Sequence, residues 1–422
     1  MRSSDIQSRA ASTWTLAFIT ILLAHFTVDT FSQMIPSSLG LIQERWNLTD
    51  RQGAWFLGLG SLCSGLAQPL FAWLSDRTGN RIFGGLGLTI VGLFLSSLGL
   101  ALSIPHLFAF YVFGMIGNGM FHPIAASTIG QLNPAKRSFS VSYFFLAGML
   151  GGVSGATLGP RLLVLEDGFQ ILRFFAIPAI ILAFLLHRQI RTIEHRNLTV
   201  GKDGKRIVEA VHWGSVALLY FSAASRFVVN MGLVYLYVRW TESQLMVQVP
   251  DMNKLEISKI SAPVIGNLNG ASIAGMAAGG FFSGLLIPAG REKIPYMVVP
   301  LLCAPLVAWL PHANPAWAYV LVFGAGIGFA SLVPVTIALA QRLMPGRTSL
   351  ASGLMLGGAW SIAMFGPVLA EYLIEAYSID AAFHSFAALL AISGLFIFPI
   401  RQSVISKSVA PTLESPKQTN RG

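Results

Sequence analysis

The chain has 422 residues, of which 54% are hydrophobic and 11% charged. That balance is far more apolar than a soluble domain needs for its core, and it places the chain among polytopic membrane proteins. The formal net charge of +10 does not point to nucleic acid, because the cations sit in short polar stretches between apolar runs and form no continuous basic groove.

Apolar segments long enough to span roughly 30 Å of hydrocarbon fall, in chain order, at 14–38, 54–75, 82–104, 107–131, 138–164, 168–188, 213–238, 263–288, 294–311, 316–341, 348–375 and 379–400. They predict an all-α membrane protein with twelve transmembrane helices. The first run follows a short polar stretch, is too long for a signal-peptide core and lacks a small-residue cleavage site, so it is expected to stay in the membrane. Assigning successive loops to alternate sides puts twenty of the 28 Lys and Arg residues on the side of the N-terminus. The other side holds Arg45, Arg51, Arg161, Arg239, Lys254 and Lys259. Positive loops mark the cytoplasmic side, so both termini are expected inside.

The first segment carries Ala24-His25-Phe26-Thr27-Val28-Asp29 and continues through Ser32 and Gln33 to Pro36. His25 and Asp29 are four apart and Ser32 and Gln33 follow at three and four, so on a helix these groups share one polar stripe. A charge facing lipid is too costly to keep. The stripe is therefore expected to face a wet cavity or a protein interior, either as a functional site or as a buried structural pair.

After the second segment comes Ala72-Trp73-Leu74-Ser75-Asp76-Arg77-Thr78-Gly79-Asn80-Arg81. The run resembles the loop signature of the major facilitator superfamily (Gly, three residues, Asp-Arg, any residue, Gly, basic residues), with Ala72 in place of the leading Gly. Asp76 is expected to approach the N-terminal end of the eleventh helix, while Arg77 and Arg81 hold the loop at headgroup level, which makes this stretch a gating latch. The corresponding loop after the eighth segment, Pro288 to Lys293, lacks the Asp, so the latch is expected once only.

The fourth segment contains Gly114, Gly117, Asn118, Gly119, Met120, Phe121, His122 and Pro123. The glycines permit close helix contact, and Asn118 and His122 share a face. This Gly-Met-Phe-His-Pro run, together with the His25 to Pro36 pattern, resembles the fosmidomycin-resistance branch of the superfamily. The resemblance implies a proton-driven efflux carrier of the inner membrane. The arginine that many drug/proton antiporters carry early in this helix is absent, since Phe110, Tyr111, Val112 and Phe113 occupy the stretch. Proton coupling would then fall to Asp29, His25 or His122. The fifth segment carries Gly148, Gly151, Gly152, Gly155, Gly159 and Pro160, which resembles the glycine-rich antiporter pattern and is equally what any close helix pair requires.

The polar, basic connection between the sixth and seventh segments divides the chain into an N-terminal bundle (1–187), a cytoplasmic linker (188–212), a C-terminal bundle (213–400) and a disordered tail (401–422). Sliding one half onto the other aligns Val112-Phe113-Gly114 with Val322-Phe323-Gly324, Gln131 with Gln341, Arg137 with Arg347 and Gly148 with Gly358. Because the orientation is the same in both halves, this is a parallel repeat about an axis along the membrane normal, the organisation of major facilitator carriers.

In the seventh segment Ser222, Arg226 and Asn230 form one stripe, and Arg226 to Asn230 repeats the spacing of His25 to Asp29. The two halves are expected to present a cationic and an anionic patch across one cavity, or else an Arg226–Asp29 ion pair. Substrate contacts are expected from Arg226, Asn230, Asn118, Gln33 and Ser222, with Asn267 and Asn269 as further candidates.

No Walker A run, zinc-ligand cluster, haem motif or nucleophile elbow appears, so the chain is not read as an enzyme and no cofactor or metal is expected. Cys63 and Cys303 lie in apolar segments and suggest no disulfide framework. The sequence thus favours proton-coupled export of a small anionic or amphiphilic compound by alternating access. Import of an organic acid or sugar is one alternative, and a transporter-like receptor or sensor is another. The expected partners are a small-molecule substrate, protons and the lipid bilayer, with no nucleic acid and a monomeric state.

Overall fold

The computed structural model describes residues 3–78, 82–132, 137–190, 211–344 and 347–407, and among these there are helices and no strand. The first half holds α1 (Ser3–Ser37), α2 (Leu39–Trp46), α3 (Asp50–Thr78), α4 (Ile82–Ser96), α5 (Ile104–Leu132), α6 (Arg137–Leu163), α7 (Gly168–Ile171) and α8 (Ala176–Ile190). The second holds α9 (Trp213–Gln248), α10 (Lys254–Leu286), α11 (Lys293–Trp309), α12 (Pro315–Ala330), α13 (Val333–Leu343), α14 (Thr348–Gly353), α15 (Ala359–Ile362), α16 (Phe365–Ala376), α17 (Ile379–Leu395) and α18 (Gln402–Lys407). Most of the linker, residues 191–210, lies outside the described residues.

Helices fill each of the apolar segments that the sequence marks. Nine helical stretches among the described residues are long and apolar enough to cross a membrane, and α4 and α17 are apolar but shorter. Two departures have local causes. The eleventh segment is interrupted by a π turn at Leu354–Gly358 between α14 and α15, a glycine-containing stretch where the regular ladder is easily broken. The tail, expected to be structureless from 401, begins with α18, whose Ile405 is buried with Ile397 and Ile400. Polar side chains set several helix starts: Asn253 and Glu256 form a capping box on α10, and Asn314 caps α12 ahead of Pro315.

The packing repeats itself between the halves. In the first half α1 packs on α6, α3 on α5 and α4 on α8; in the second, α9 packs on α16, α10 on α12 and α11 on α17. These are corresponding pairs under the parallel repeat. The contacts between halves also exchange under it, since α6 meets α10 while α3 meets α15 and α16. Hydrophobicity does not drive helices together inside a bilayer, so close van der Waals approach must do so. Gly151 and Gly155 of α6 let that helix lie directly on the carbonyls of Phe26 and Thr30 in α1, and Thr30 Oγ1 reaches Gly151 O at 3.2 Å. Between halves, Gly266 of α10 faces the carbonyl of Ala156 in α6.

A side chain at position 151 has no room, whereas Gly214 has open space around it. Gly151→Val is expected to lower stability by about 1–3 kcal/mol through overpacking, with Gly214→Ala as a near-neutral control. Thermal unfolding in detergent checks this; equal melting of the two variants would show that α1 and α6 are not held by this contact.

Candidate functional site

The polar stripe of α1 faces inward, and its centre is Asp29. One carboxylate oxygen lies 3.3 Å from His25 Nε2, one turn earlier on the same helix, and the other lies 3.1 Å from His122 Nε2 on α5. Each ring is fixed from its far side. His25 Nδ1 lies 2.7 Å from the Phe144 carbonyl of α6, with the ring stacked on Phe144 at a centroid distance of 3.8 Å. His122 Nδ1 lies 2.9 Å from the Asn118 carbonyl. A second polar tie joins the same helices, since Asn118 Nδ2 donates to Ser32 Oγ at 2.7 Å and Ser32 donates in turn to the Val28 carbonyl. Gly148 of α6 backs the cluster, where any side chain would run into His25 and Asp29. The donor atoms of His25, Asp29 and His122 lie within 4.8 Å of one another, which is close enough to share protons or to converge on a single cation.

Asp29 opens on a small cavity of about 60 Å³ between the halves. Gln33 of α1 and Gly148, Met149 and Gly152 of α6 line one wall. Asn230, Met231 and Val234 of α9, Asn269, Ile273 and Met276 of α10, and Trp360 of α15 line the other. The volume admits a water or two but not a drug-sized compound, which takes roughly 300 Å³ or more.

The expected substrate residues divide between several places. Gln33 and Asn230 are on the cavity. Asn118 is beside it, committed to Ser32. Ser222 is fully buried and donates to the Ser393 carbonyl at 2.6 Å, tying α9 to α17. Arg226 neither faces Asp29 across the cavity nor pairs with it. It lies inside the second half, where Nη2 donates to Tyr296 Oη at 2.9 Å and to Thr336 Oγ1 at 3.0 Å, and its guanidinium sits 4.8 Å from the Tyr296 ring centre. It is 1% exposed, and its Nε and Nη1 have no hydrogen-bond partner. The repeat alignment fixes a residue's level along its helix, not the direction it faces, and here α9 turns Asn230 to the cavity and Arg226 toward α11 and α13.

Of the latch, the Asp76 side chain, Gly79 and Arg81 lie outside the described residues, and Arg77 is exposed with its guanidinium over the Trp73 ring at 4.3 Å. The loop after α10 lacks the aspartate of the motif and carries Glu292. Glu292, next to Lys293 in the α10–α11 connection, is buried and forms an ion pair with Arg342 at the end of α13. The pair ties this connection to α13 within the second half.

A polar network that sequence reasoning missed closes the two halves at the face where α1 ends at Ser37. Arg239 of α9 pairs with Asp50 of α3 at 2.7 Å and lies 3.4 Å from Glu371 of α16. The Tyr235 hydroxyl is 2.9 Å from the Glu371 carboxylate and 3.0 Å from the Asp50 carbonyl. Arg51 grips Glu375 through two nitrogens, at 2.8 and 2.7 Å, and Asn269 donates to Ser37 Oγ at 2.7 Å. The charged partners sit near the ends of the apolar segments, where a lone charge reads as ordinary interfacial decoration; the signal available was the excess of acids (Asp50, Glu371, Glu375) at the ends of segments that share one face.

Similarity to known proteins agrees with this architecture. A sequence profile described as Major Facilitator Superfamily matches residues 21–245 and 217–417. The chain is similar to an uncharacterized MFS-type transporter, YfnC, of Bacillus subtilis (strain 168), at 22% identity over 96% of this chain and 97% of the relative. It is also similar to the fosmidomycin resistance protein of Escherichia coli (strain K12), at 25% identity over 90% of this chain and 91% of that protein. Among solved structures, a bacterial homolog of the human lysosomal transporter Spinster superposes with a TM-score of 0.67, at 17% identity, over 96% of this chain and 99% of that one.

The network at the Ser37 face generates a test. Arg239→Ala strands Glu371 and Asp50, and is expected to weaken the closure by about 1–3 kcal/mol, less than for a fully buried pair because Arg239 is partly exposed. With Cys63 and Cys303 replaced by alanine and Met149→Cys as reporter, an impermeant maleimide added at that face should label the cavity severalfold faster in Arg239→Ala. Equal rates would show that the network does not hold the face shut.

Proposed function

Because the chain belongs to the Major Facilitator Superfamily of membrane transporters, we propose that it is a proton-coupled efflux carrier, an antiporter that exports a small anionic or amphiphilic compound by alternating access. The observation that carries this reading is Asp29, an ionisable carboxylate set between two imidazoles on the wall of a cavity between the halves. Intramembrane carboxylates and imidazoles are the usual elements of proton relays, since only such groups change charge in the working pH range. Residues 1–187 and 213–400 act as two bodies joined by the linker 188–212, with both termini in the cytoplasm and the Ser37 face outside, at the inner membrane. Proton binding at Asp29, His25 and His122 favours one orientation of these bodies and release favours the other. The Asp76 to Arg81 loop serves the opposite, cytoplasmic face.

Gln33 and Asn230 contact the substrate directly. Arg226 lies one turn from Asn230 on the cytoplasmic side of α9 and has no acidic partner among the described residues, so it could meet an anion if the second half rearranges during the cycle. A guanidinium suits carboxylate or phosphonate groups through paired hydrogen bonds. Export rather than import is favoured by the similarity to a fosmidomycin resistance protein.

Asp29→Asn separates coupling from binding. The variant is expected to fold and to exchange solute down its gradient, while accumulation driven by an imposed pH gradient in proteoliposomes falls to background. Undiminished uphill transport by a well-expressed Asp29→Asn protein would rule out the role given to Asp29.

A further inference from the structure

We infer that the His25–Asp29–His122 cluster is a two-proton store whose loading clamps α5 to α1. The inference rests on the proton-coupling reading above and adds a count and a mechanical link to it.

Both Nδ1 atoms face backbone carbonyl oxygens, Phe144 O at 2.7 Å and Asn118 O at 2.9 Å. A carbonyl only accepts, so each Nδ1 carries its hydrogen in every protonation state of the ring. A neutral ring held in that tautomer presents a bare lone pair at Nε2. Both Nε2 atoms face Asp29, one at each carboxylate oxygen, at 3.3 and 3.1 Å. An ionised carboxylate also only accepts. Neither contact is a bond until a proton lies in it.

Two contacts on two different oxygens therefore need two protons. A neutral carboxyl has one O–H and satisfies one contact, so filling both takes two protons; because an imidazole is a stronger base than a carboxylate, these sit on the rings, giving a carboxylate between two imidazolium groups with one N–H bond at each Nε2. On release each proton passes from Nε2 to water. Loss of the first leaves one contact bonded. Loss of the second leaves a carboxylate between two lone pairs in largely apolar surroundings, which the two helices cannot keep at this distance. His25 remains tied to α6 through Phe144 in every state. The joint that responds is the one between α1 and α5, which then keeps the Asn118–Ser32 bond and loses the tie from His122 to Asp29 across it.

No other titratable group blurs the count among the described residues that line the cavity. Across from Asp29, α9 and α10 present Asn230, Asn269 and Met276, and α6 presents Gly148 and Met149. The α4 helix, also packed on α1, has no titratable side chain, and α8 carries His187 and Arg188 only in its last turn. Arg226 is held by Tyr296 and Thr336 away from the cavity.

The test is nitrogen NMR on the full-length protein in lipid nanodiscs with its 8 histidines labelled at the ring nitrogens, His25→Gln and His122→Gln identifying the two signals. Both neutral rings should be the Nδ1–H tautomer, and both should become doubly protonated on acidification of the folded protein. In Asp29→Asn each Nε2 loses its carboxylate partner, so both Nε2 signals should shift while the Nδ1–H tautomer is kept. An Nε2–H tautomer in either ring, or Nε2 signals unchanged in a folded Asp29→Asn protein, overturns the inference; the tautomer measurement needs no variant at Asp29. If one ring alone becomes charged before the protein unfolds, the two-proton count falls while pH-driven transport by one proton still stands.

Discussion

A carboxylate inside an apolar helix survives only if something of opposite or complementary character meets it, and in this protein that requirement is met at Asp29 by two imidazoles from two helices. The consequence extends beyond the three side chains. His25 must be backed by Phe144, so α6 has to approach α1 closely, and it does so through Gly148, Gly151 and Gly155. His122 must come from α5, which the Asn118–Ser32 bond holds at the same level. The glycine-rich face of α6 and the polar stripe of α1 are thus parts of one arrangement.

The same logic bears on the contacts within each half and between them. Glycines bring helices together within each half and also between the halves, as at Gly266 on the Ala156 carbonyl and Gly58 on the Met364 carbonyl. Between the halves, α6 meets α10 and α3 meets α15 and α16, and the polar ties among Asp50, Arg239, Tyr235, Glu371, Arg51 and Glu375 are gathered at the Ser37 face. Partly exposed ion pairs contribute little individually and exchange readily with water. Such a closure suits a face that must open in the proposed cycle.

Much of this could be read in the chain. The apolar runs located the helices, the repeat gave the parallel relation of the halves, and the four-residue spacing of His25 and Asp29 placed them on one stripe. His122 came from a motif resemblance rather than from spacing, because nothing local to α5 says which helix it faces. What escaped the sequence shares one cause: pairings between residues far apart in the chain depend on rotation about each helix axis. Arg226 was expected opposite Asp29 and instead points to Tyr296 and Thr336. Arg239 looked like one of six cations in outer loops, yet it bridges two acids from different helices. Glu292 stands in a loop without the motif's aspartate, and nothing local shows that Arg342 lies within its reach.

The central claim, that solute movement is coupled to proton movement at Asp29, is tested most directly by following lumenal pH in proteoliposomes with a trapped indicator while a solute gradient is imposed in the absence of any pH gradient. Across a panel of small carboxylates and phosphonates, a transported compound should drive protons in the opposite direction to itself, and the pH change should vanish with a protonophore. Solute flux with no accompanying change in lumenal pH would contradict the claim.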